Sequence, residues 1–405
     1  MKQVNERKSV TRIKRVLSQY DAVLAILVLL ISLFGLIMIY SASSYRAEYY
    51  YHDSTKYFRA QGLFIIGGVI VMVLVSMIDY RFWFKQFKVL LYIPISAFLW
   101  FASLIMCIFV VFAGHTVGGS SRWIQLGFIN IQPSEVAKAA FVLFGAFVVA
   151  KGKRMFNRGS DIKSTLKNCI WIVILALPFI AVVISVYILN LSSAIILAAI
   201  IGVMFFCASM DKKAIFILII LLGIGLYFKL NSGGDYRSSR MDLWQNPDKM
   251  DQGGQIVQGM LAIGSGGLLG KGLGNSVQKM GNIPEVHTDM IFTIICEELG
   301  IVGGIALMLG FMWMLYRIFK IALNATELKG SLIAIGVFMH LSIQFVMNIA
   351  VVTNAMPATG VPLPFVSYGG SSLVIMMAEI GLVLNVSKQI YETIDVEDTV
   401  LQDSV

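Results

Sequence analysis

Apolar positions in this chain are gathered into long blocks, and polar residues are confined to the gaps between them. The first block runs from Ala22 to Ser41, and others follow at about 61–78, 89–113, 134–150, 169–188, 192–209, 214–230, 289–318, 328–353 and 368–387. About twenty apolar residues carry an α-helix across a hydrocarbon core about 30 Å thick, so each block predicts a spanning helix. The block at 22–41 is too long for a signal-peptide core and lacks a clear small-residue cleavage site, which makes it the first span. Between 169 and 230, short connectors near 189–191 and 210–213 must separate the helices. The expected fold class is all-α, a polytopic integral membrane protein with about ten transmembrane helices and a large extracellular loop. Residues 1–20 form a basic cytoplasmic N-terminus, 21–390 the ten-helix membrane domain with its loop at about 230–288, and 391–405 a short cytoplasmic tail.

Composition removes the soluble alternative. Of 405 residues, 58% are hydrophobic and 14% charged, and the mean hydropathy is +0.80, beyond what a soluble surface tolerates. The formal charge of +9 raises nucleic acid as a partner, but a basic surplus scattered through a hydrophobic chain reflects membrane topology and anionic lipid, so no nucleic acid is expected. Counted on alternating gaps, about two-thirds of the 32 Lys and Arg fall on the side of the N-terminus. Positive charge is retained inside, which places both termini in the cytoplasm and the motif-bearing gaps outside. Cys107, Cys169, Cys207 and Cys296 lie in or beside apolar blocks without metal-ligand spacing, and read as small buried apolar side chains.

Charge is costly at membrane depth and therefore informative. At the mouth of the eighth block stand Pro284, Glu285, His287, Thr288 and Asp289, with Glu297 and Glu298 following. Thr288 or Asp289 can cap a helix beginning near Met290, but a cap needs one oxygen, and this cluster offers many more. Desolvation at an interface raises a carboxylate pKa toward that of a general base working near neutral pH. A second set joins Gly118–Gly127, with Arg122 and Trp123, to Gln132, Pro133, Ser134, Glu135 and Lys138. Pro133 suits a helix start that Ser134 and Glu135 can cap, and Lys138 lies one turn on, on the face of Glu135. The pair is read either as a local ion pair or as the lining of an outward cavity for an anionic headgroup.

The loop at 230–288 holds Arg237, Arg240, Trp244, Gln255, Gln258 and glycines at Gly264, Gly266, Gly267, Gly272 and Gly274. Alone it reads as a flexible connector before a ligand cradle, with Met260–Leu269 apolar enough to lie at the membrane surface. Pro357, Pro362 and Pro364 forbid a continuous helix through an apolar stretch, which predicts either a re-entrant wall or a rigid loop. Gln344, Asn348 and Glu379 lie at membrane depth, with Gln344 and Asn348 on one helix face, where hydrogen bonding between helices explains them.

Three blocks then appear in order. They are Arg122-Trp123-Ile124 with Gln132-Pro133-Ser134-Glu135-x-x-Lys138, Pro284-Glu285-x-His287-Thr288-Asp289 with Glu297-Glu298-Leu299-Gly300, and Pro362-Leu363-Pro364-Phe365-x-Ser367-Tyr368-Gly369-Gly370-Ser371-Ser372. Together they resemble the SEDS family of FtsW, RodA and SpoVE over residues 20 to 390, and Gly274–Lys279 with Met356–Gly360 are more similar to the FtsW/SpoVE branch. Where many members join the fifth and sixth spans by Pro-Asp-Leu, this chain has Leu189-Asn190-Leu191, and Met290 replaces the usual Phe.

The resemblance implies a peptidoglycan glycosyltransferase that polymerises lipid II at the outer face of the bacterial cytoplasmic membrane, for division or sporulation. It implies Asp289 as the essential aspartate and Glu135 and Lys138 as the lining of the cavity; with the charge pattern, Asp289 reads as the catalytic base, and Arg122, Gln132, Ser134, Glu135, Lys138, Glu285, His287, Ser367 and Tyr368 as substrate-binding residues. Arg237, Arg240, Lys279, Glu297 and Glu298 take supporting roles. A divalent cation, Mg or Mn, is expected beside the carboxylates, and no organic cofactor. The expected partners are a class B penicillin-binding protein, lipid II, undecaprenyl diphosphate-linked glycan and other division or sporulation membrane proteins. The alternatives are a lipid II flippase, which also needs charges within spans, and a non-catalytic scaffold.

Overall fold

The computed structural model describes residues 20–87, 93–113, 115–117, 120–126, 129–153, 162–208, 212–213, 215–216, 244, 254–280 and 286–403. Its helices are α1 (Ala22–Tyr51), α2 (Lys56–Met77), α3 (Ile95–Ala113), α4 (Pro133–Gly152), α5 (Ile162–Leu189), α6 (Leu191–Cys207), α7 (Gln255–Gly266), α8 (Ile291–Asn324), α9 (Leu328–Val352) and α10 (Gly370–Asp403). Eight of these among the described residues, α1 to α5 and α8 to α10, are long and apolar enough to cross a membrane, and α6 is a shorter apolar helix. Apart from 215–216, the predicted span at 214–230 lies outside the described residues. Apolar blocks become helices because hydrocarbon offers no partner for backbone N–H and C=O groups. α4, α9 and α10 are buried over most of their length and form the centre, while α2, α3 and α5 turn most of their surface outward.

Helix ends depart from the apolar blocks. α1 continues to Tyr51 instead of stopping near Ser41, because Ser41, Ser43 and Ala47 are buried against the bundle. α2 begins at Lys56 instead of 61. The connector at Asn190 is sharp: its side-chain Oδ1 accepts from Ser192 N at 3.0 Å and caps α6. Far from the motifs, Asp21 caps α1 through Leu24 N at 3.0 Å, pairs with Arg317 of α8 at 2.6 Å, and offers its own N–H to Ser387 of α10. One residue, through its carboxylate and its backbone N–H, thus gathers three helices at that end.

The all-α expectation holds for the membrane body, and short strands join its helices at 86–94 and 115–131. Strands β1 (Gln86–Phe87) and β2 (Ile93–Pro94) form one short antiparallel pair. β3 (His115–Val117), β4 (Ser120–Leu126) and β5 (Ile129–Ile131) form an antiparallel meander that leads into α4. Thr116, Val117, Trp123, Ile124, Ile129 and Ile131 supply the β-branched and aromatic positions such a ribbon favours.

α8 is broken at Gly300, whose φ of 70° and ψ of −175° are not helical. An uninterrupted helix would bond the N–H groups of 301 and 302 to the carbonyls of 297 and 298. Here Ile301 N and Val302 N donate to Gly267 O and Leu268 O at 3.0 and 3.2 Å, while Lys271 N and Gly272 N donate to Glu297 O and Glu298 O at 3.0 and 2.9 Å. The glycine-rich segment after α7 therefore pairs these four groups that the break releases, and the flexible connector expected there is a packed strap. Gly300 is required twice over, by its positive φ and because a Cβ would lie 2.2 Å from Leu268 O.

Residues 353–369 leave the helical register between α9 and α10 and fold into the bundle. Val361, Leu363, Phe365 and Val366 are buried there, as the re-entrant expectation required. The segment sits deep because α1 presents Gly35, where a Cβ would stand 2.6 Å from Val366 Cα. Ser367 closes its turn by accepting Leu363 N at 2.8 Å, and Gln61 of α2 clasps it by donating to Ser367 O at 3.3 Å and accepting Gly369 N at 3.3 Å.

Candidate active site

The motif residues meet at the end of the bundle where α8 and α10 begin and α9 finishes. Asp289 precedes Met290, the N-cap of α8, and the helix has no side-chain cap bond, so the expected capping by Thr288 or Asp289 does not occur. The half-buried carboxylate instead places Oδ1 3.4 Å from Gln255 Nε2 of α7 and from Thr288 Oγ1, with Gly360 beside Oδ2. Its backbone is fixed: Asn348 Nδ2 of α9 donates to Asp289 O and to Val361 O, each at 2.8 Å.

His287 is 4% exposed and packs between Tyr57 and Tyr368, at 4.4 and 5.5 Å between ring centroids. Its carbonyl accepts Tyr368 N at 2.8 Å. Burial, with the charge of Arg46 added, lowers its pKa to about 4, so the ring is neutral near pH 7, and its Nδ1 is buried without a partner. Burial raises the Tyr368 phenol, followed in effect by Tyr51 nearby, and keeps it protonated.

One turn deeper along α9 lies a polar chain closed off from solvent. Lys138 Nζ of α4 donates to Glu135 Oε1 at 2.7 Å and to Gln344 Oε1 at 3.0 Å, and Glu135 Oε2 accepts Ser372 Oγ of α10 at 3.1 Å. Gln344 Nε2 donates to Pro362 O at 3.1 Å, and its Oε1 also meets His340 Nε2 at 3.0 Å. His340 Nδ1 contacts Glu379 Oε2 of α10 at 2.7 Å. The local ion pair read from the sequence is present, but Lys138 is 1% exposed. An ammonium buried that deeply needs its counterion and further acceptors, which Glu135 and Gln344 supply.

Glu297 and Glu298 face the strap. Glu297 pairs with Lys271 at 2.7 Å and contacts the Ser276 hydroxyl, while Glu298 pairs with Lys279 at 3.0 Å and accepts Ser41 Oγ at 2.7 Å. Ser367 is spent on its turn, as described above. Gln132 begins α4 without a side-chain cap bond, and the Ser134 hydroxyl is buried without a partner, so the capping expected of Ser134 and Glu135 does not occur. Arg122 is carried on β4, with its side chain outside the described residues, as are Glu285, Arg237 and Arg240. No group of three or more His, Cys, Asp or Glu side chains gathers into a metal-binding set among the described residues.

Sequence reasoning passed over His340, Gln61 and Ser41. A signal for His340 existed, because it stands four residues before Gln344 and eight before Asn348 on one helix face. Gln61 and Ser41 had none, since their partners lie hundreds of residues away.

Comparison with known proteins followed the same outline. A family model for FtsW, RodA and SpoVE, described as "Cell cycle protein", matches residues 21–392. The chain is 38% identical over 373 residues to Stage V sporulation protein E of Bacillus subtilis, covering 91% of this chain and 97% of that protein. It is 35% identical over 382 residues to a probable peptidoglycan glycosyltransferase FtsW of Geobacter metallireducens, covering 93% and 97%. Among solved structures, a chain of a peptidoglycan synthase complex described as coordinating polymerization and crosslinking aligns with a TM-score of 0.70 at 26% identity, over 92% of this chain and 98% of that one. The rod shape determining protein RodA of Thermus thermophilus aligns at 0.64 and 25%, with the same coverage.

Proposed function

The chain belongs to the FtsW/RodA/SpoVE family of cell cycle proteins, and on that premise we propose that it is a peptidoglycan glycosyltransferase polymerising lipid II at the outer face of the bacterial cytoplasmic membrane. The names of its relatives support a role in division or sporulation. The observation that carries the reading is Asp289: a half-buried carboxylate whose backbone is clamped by Asn348, one turn of α9 from the Lys138 ion pair. In this reading both termini and the basic gaps are cytoplasmic, by the distribution of Lys and Arg.

Asp289 accepts the proton of the acceptor's sugar 4-hydroxyl as that oxygen attacks the anomeric carbon of the lipid-linked glycan. The new carbon–oxygen bond forms while the bond to the diphosphate breaks, and the electron pair leaves on undecaprenyl diphosphate. Lys138 has three N–H donors, of which Glu135 and Gln344 take two. The third, with Arg122 on β4, meets the charge that develops on the diphosphate once substrate has opened the packing over Lys138, which is 1% exposed without it. His287 and Tyr368 form a neutral wall beside the acceptor, and the carboxylates of Glu297 and Glu298 hold the strap behind it. The donor set described at Asp289, a single carboxylate, fits a hydrated Mg or Mn ion shared with substrate phosphates, and such an ion would neutralise diphosphate charge. A class B penicillin-binding protein is the proposed partner, supported by the solved complex that couples polymerization to crosslinking.

The test uses the purified full chain with its transpeptidase partner and lipid II in detergent, where no transport is needed. Wild type lengthens glycan, and Asp289→Asn slows it by about 10²–10⁴-fold, the range for loss of a positioned base. Undiminished chain growth by Asp289→Asn removes the residue from this role. An inert wild type that moves labelled lipid II across liposomes points instead to the flippase.

A further inference from the structure

His340 and Glu379 lie outside the reacting centre, are fully buried, and take no part in the chemistry above. Their hydrogen bonds nevertheless determine how the chain of polar groups is wired. Gln344 Nε2 donates to Pro362 O, a carbonyl that can only accept, so the amide orientation is fixed and Oε1 faces Lys138 and His340. An oxygen there only accepts, so His340 Nε2 carries a hydrogen. On the other side of the ring, Nδ1 and Glu379 Oε2 are 2.7 Å apart. A contact that short between two buried lone-pair atoms requires one proton between them, on the ring or on the carboxyl. Whichever atom holds it, the pair is neutral and the ring cannot turn over without losing both bonds.

We propose that His340 and Glu379 are positioning residues for the Glu135–Lys138 ion pair. They share one proton that locks the imidazole with its Nε2–H on Gln344 Oε1, which holds in place the amide orientation that Pro362 O sets and keeps the third N–H of Lys138 for substrate. The same helix face continues to Asn348, so α9 carries a ladder, His340, Gln344 and Asn348, that indexes Lys138 and Asp289 against the adjacent carbonyls of Pro362 and Val361. This rests on the glycosyltransferase reading, in which Lys138 meets the diphosphate.

The test is a double-mutant cycle for polymerisation, with the full chain, its partner and lipid II, and with folding followed by thermal melting. Glu379→Gln still offers an N–H to Nδ1 and stays within a few-fold of wild type. Glu379→Leu loses on the order of 10-fold or more in a wild-type background and little further in a Lys138→Met background, because coupled groups are not additive. His340→Asn, whose amide reaches Glu379 but not Gln344, behaves like Glu379→Leu and decides the matter should the leucine variant fail to fold. Equal losses in both backgrounds, a Glu379→Gln as impaired as Glu379→Leu, or a fully active His340→Asn overturns the proposal. An inactive wild type would instead indict the glycosyltransferase reading itself.

Discussion

The side-chain amide of Asn348 holds the main-chain carbonyl of Asp289 at 2.8 Å. Because the same nitrogen also holds Val361 O, one side chain fixes the base against the re-entrant segment. Replacing it strands two carbonyls, at about 1–3 kcal/mol for each that stays buried and unsatisfied. Asn348→Ala is expected to lower kcat about 10-fold or more with little change in KM. Asn348→Asp, which sets a carboxylate against both carbonyls, should lose more stability than the alanine variant. Steady-state polymerisation and melting temperature report the two effects separately.

The neutrality of His287 makes stability depend on pH. Its folded pKa of about 4 lies below the usual value near 6.5. Between these values the unfolded chain binds a proton that the folded chain refuses, so stability is complete above about pH 6.5 and is lost as pH falls toward 4. A His287→Gln variant cannot titrate. It should lose less melting temperature than wild type between pH 7 and pH 5, and parallel losses would mean that other groups dominate.

The pair of Glu298 and Lys279 should respond asymmetrically to substitution. Both are buried, with side chains 0% and 6% exposed, so Glu298→Ala leaves an ammonium uncompensated, at about 3–5 kcal/mol. The double variant Glu298→Gln with Lys279→Met removes both charges and should melt closer to wild type than Glu298→Ala alone. Proteolysis of the strap at 267–279 should track the same order.

Gly300→Ala is expected to be among the most damaging single methyl additions in the chain. The new carbon would meet the carbonyl of Leu268 at 2.2 Å in a backbone region that L-residues avoid. The strap then separates from α8, exposing the N–H groups of Ile301 and Val302. Hydrogen exchange at these two amides, slow in wild type, should become fast.

Nine of the ten apolar blocks, each a helix among the described residues, and the motif clusters were legible in the sequence because apolar helices and costly charges leave local signatures. Asp289 was found that way, as were Glu135, Lys138, Gln344 and Asn348. What stayed hidden depended on contacts between distant residues. Nothing near Gly300 announces that the break in α8 is mended by residues 267–272, so the glycines there read as slack. The β-meander left little signal because two of its three strands are three residues long, too short for a clear alternation of polar and apolar positions. His340 and Glu379 are separated by α9's end and the whole re-entrant segment, and only the fold shows that their side chains meet at 2.7 Å.

The polar ladder also has a bearing on voltage. Glu135 offsets Lys138, and Glu379 offsets the proton it shares with His340, so the buried centre carries no net charge. A transmembrane potential does about 2.3 kcal/mol of work per elementary charge per 100 mV, and on this centre that work sums to nearly zero as the helices shift together. The membrane potential therefore exerts little net pull on this buried centre, whereas removing one member of either pair would expose it to that field.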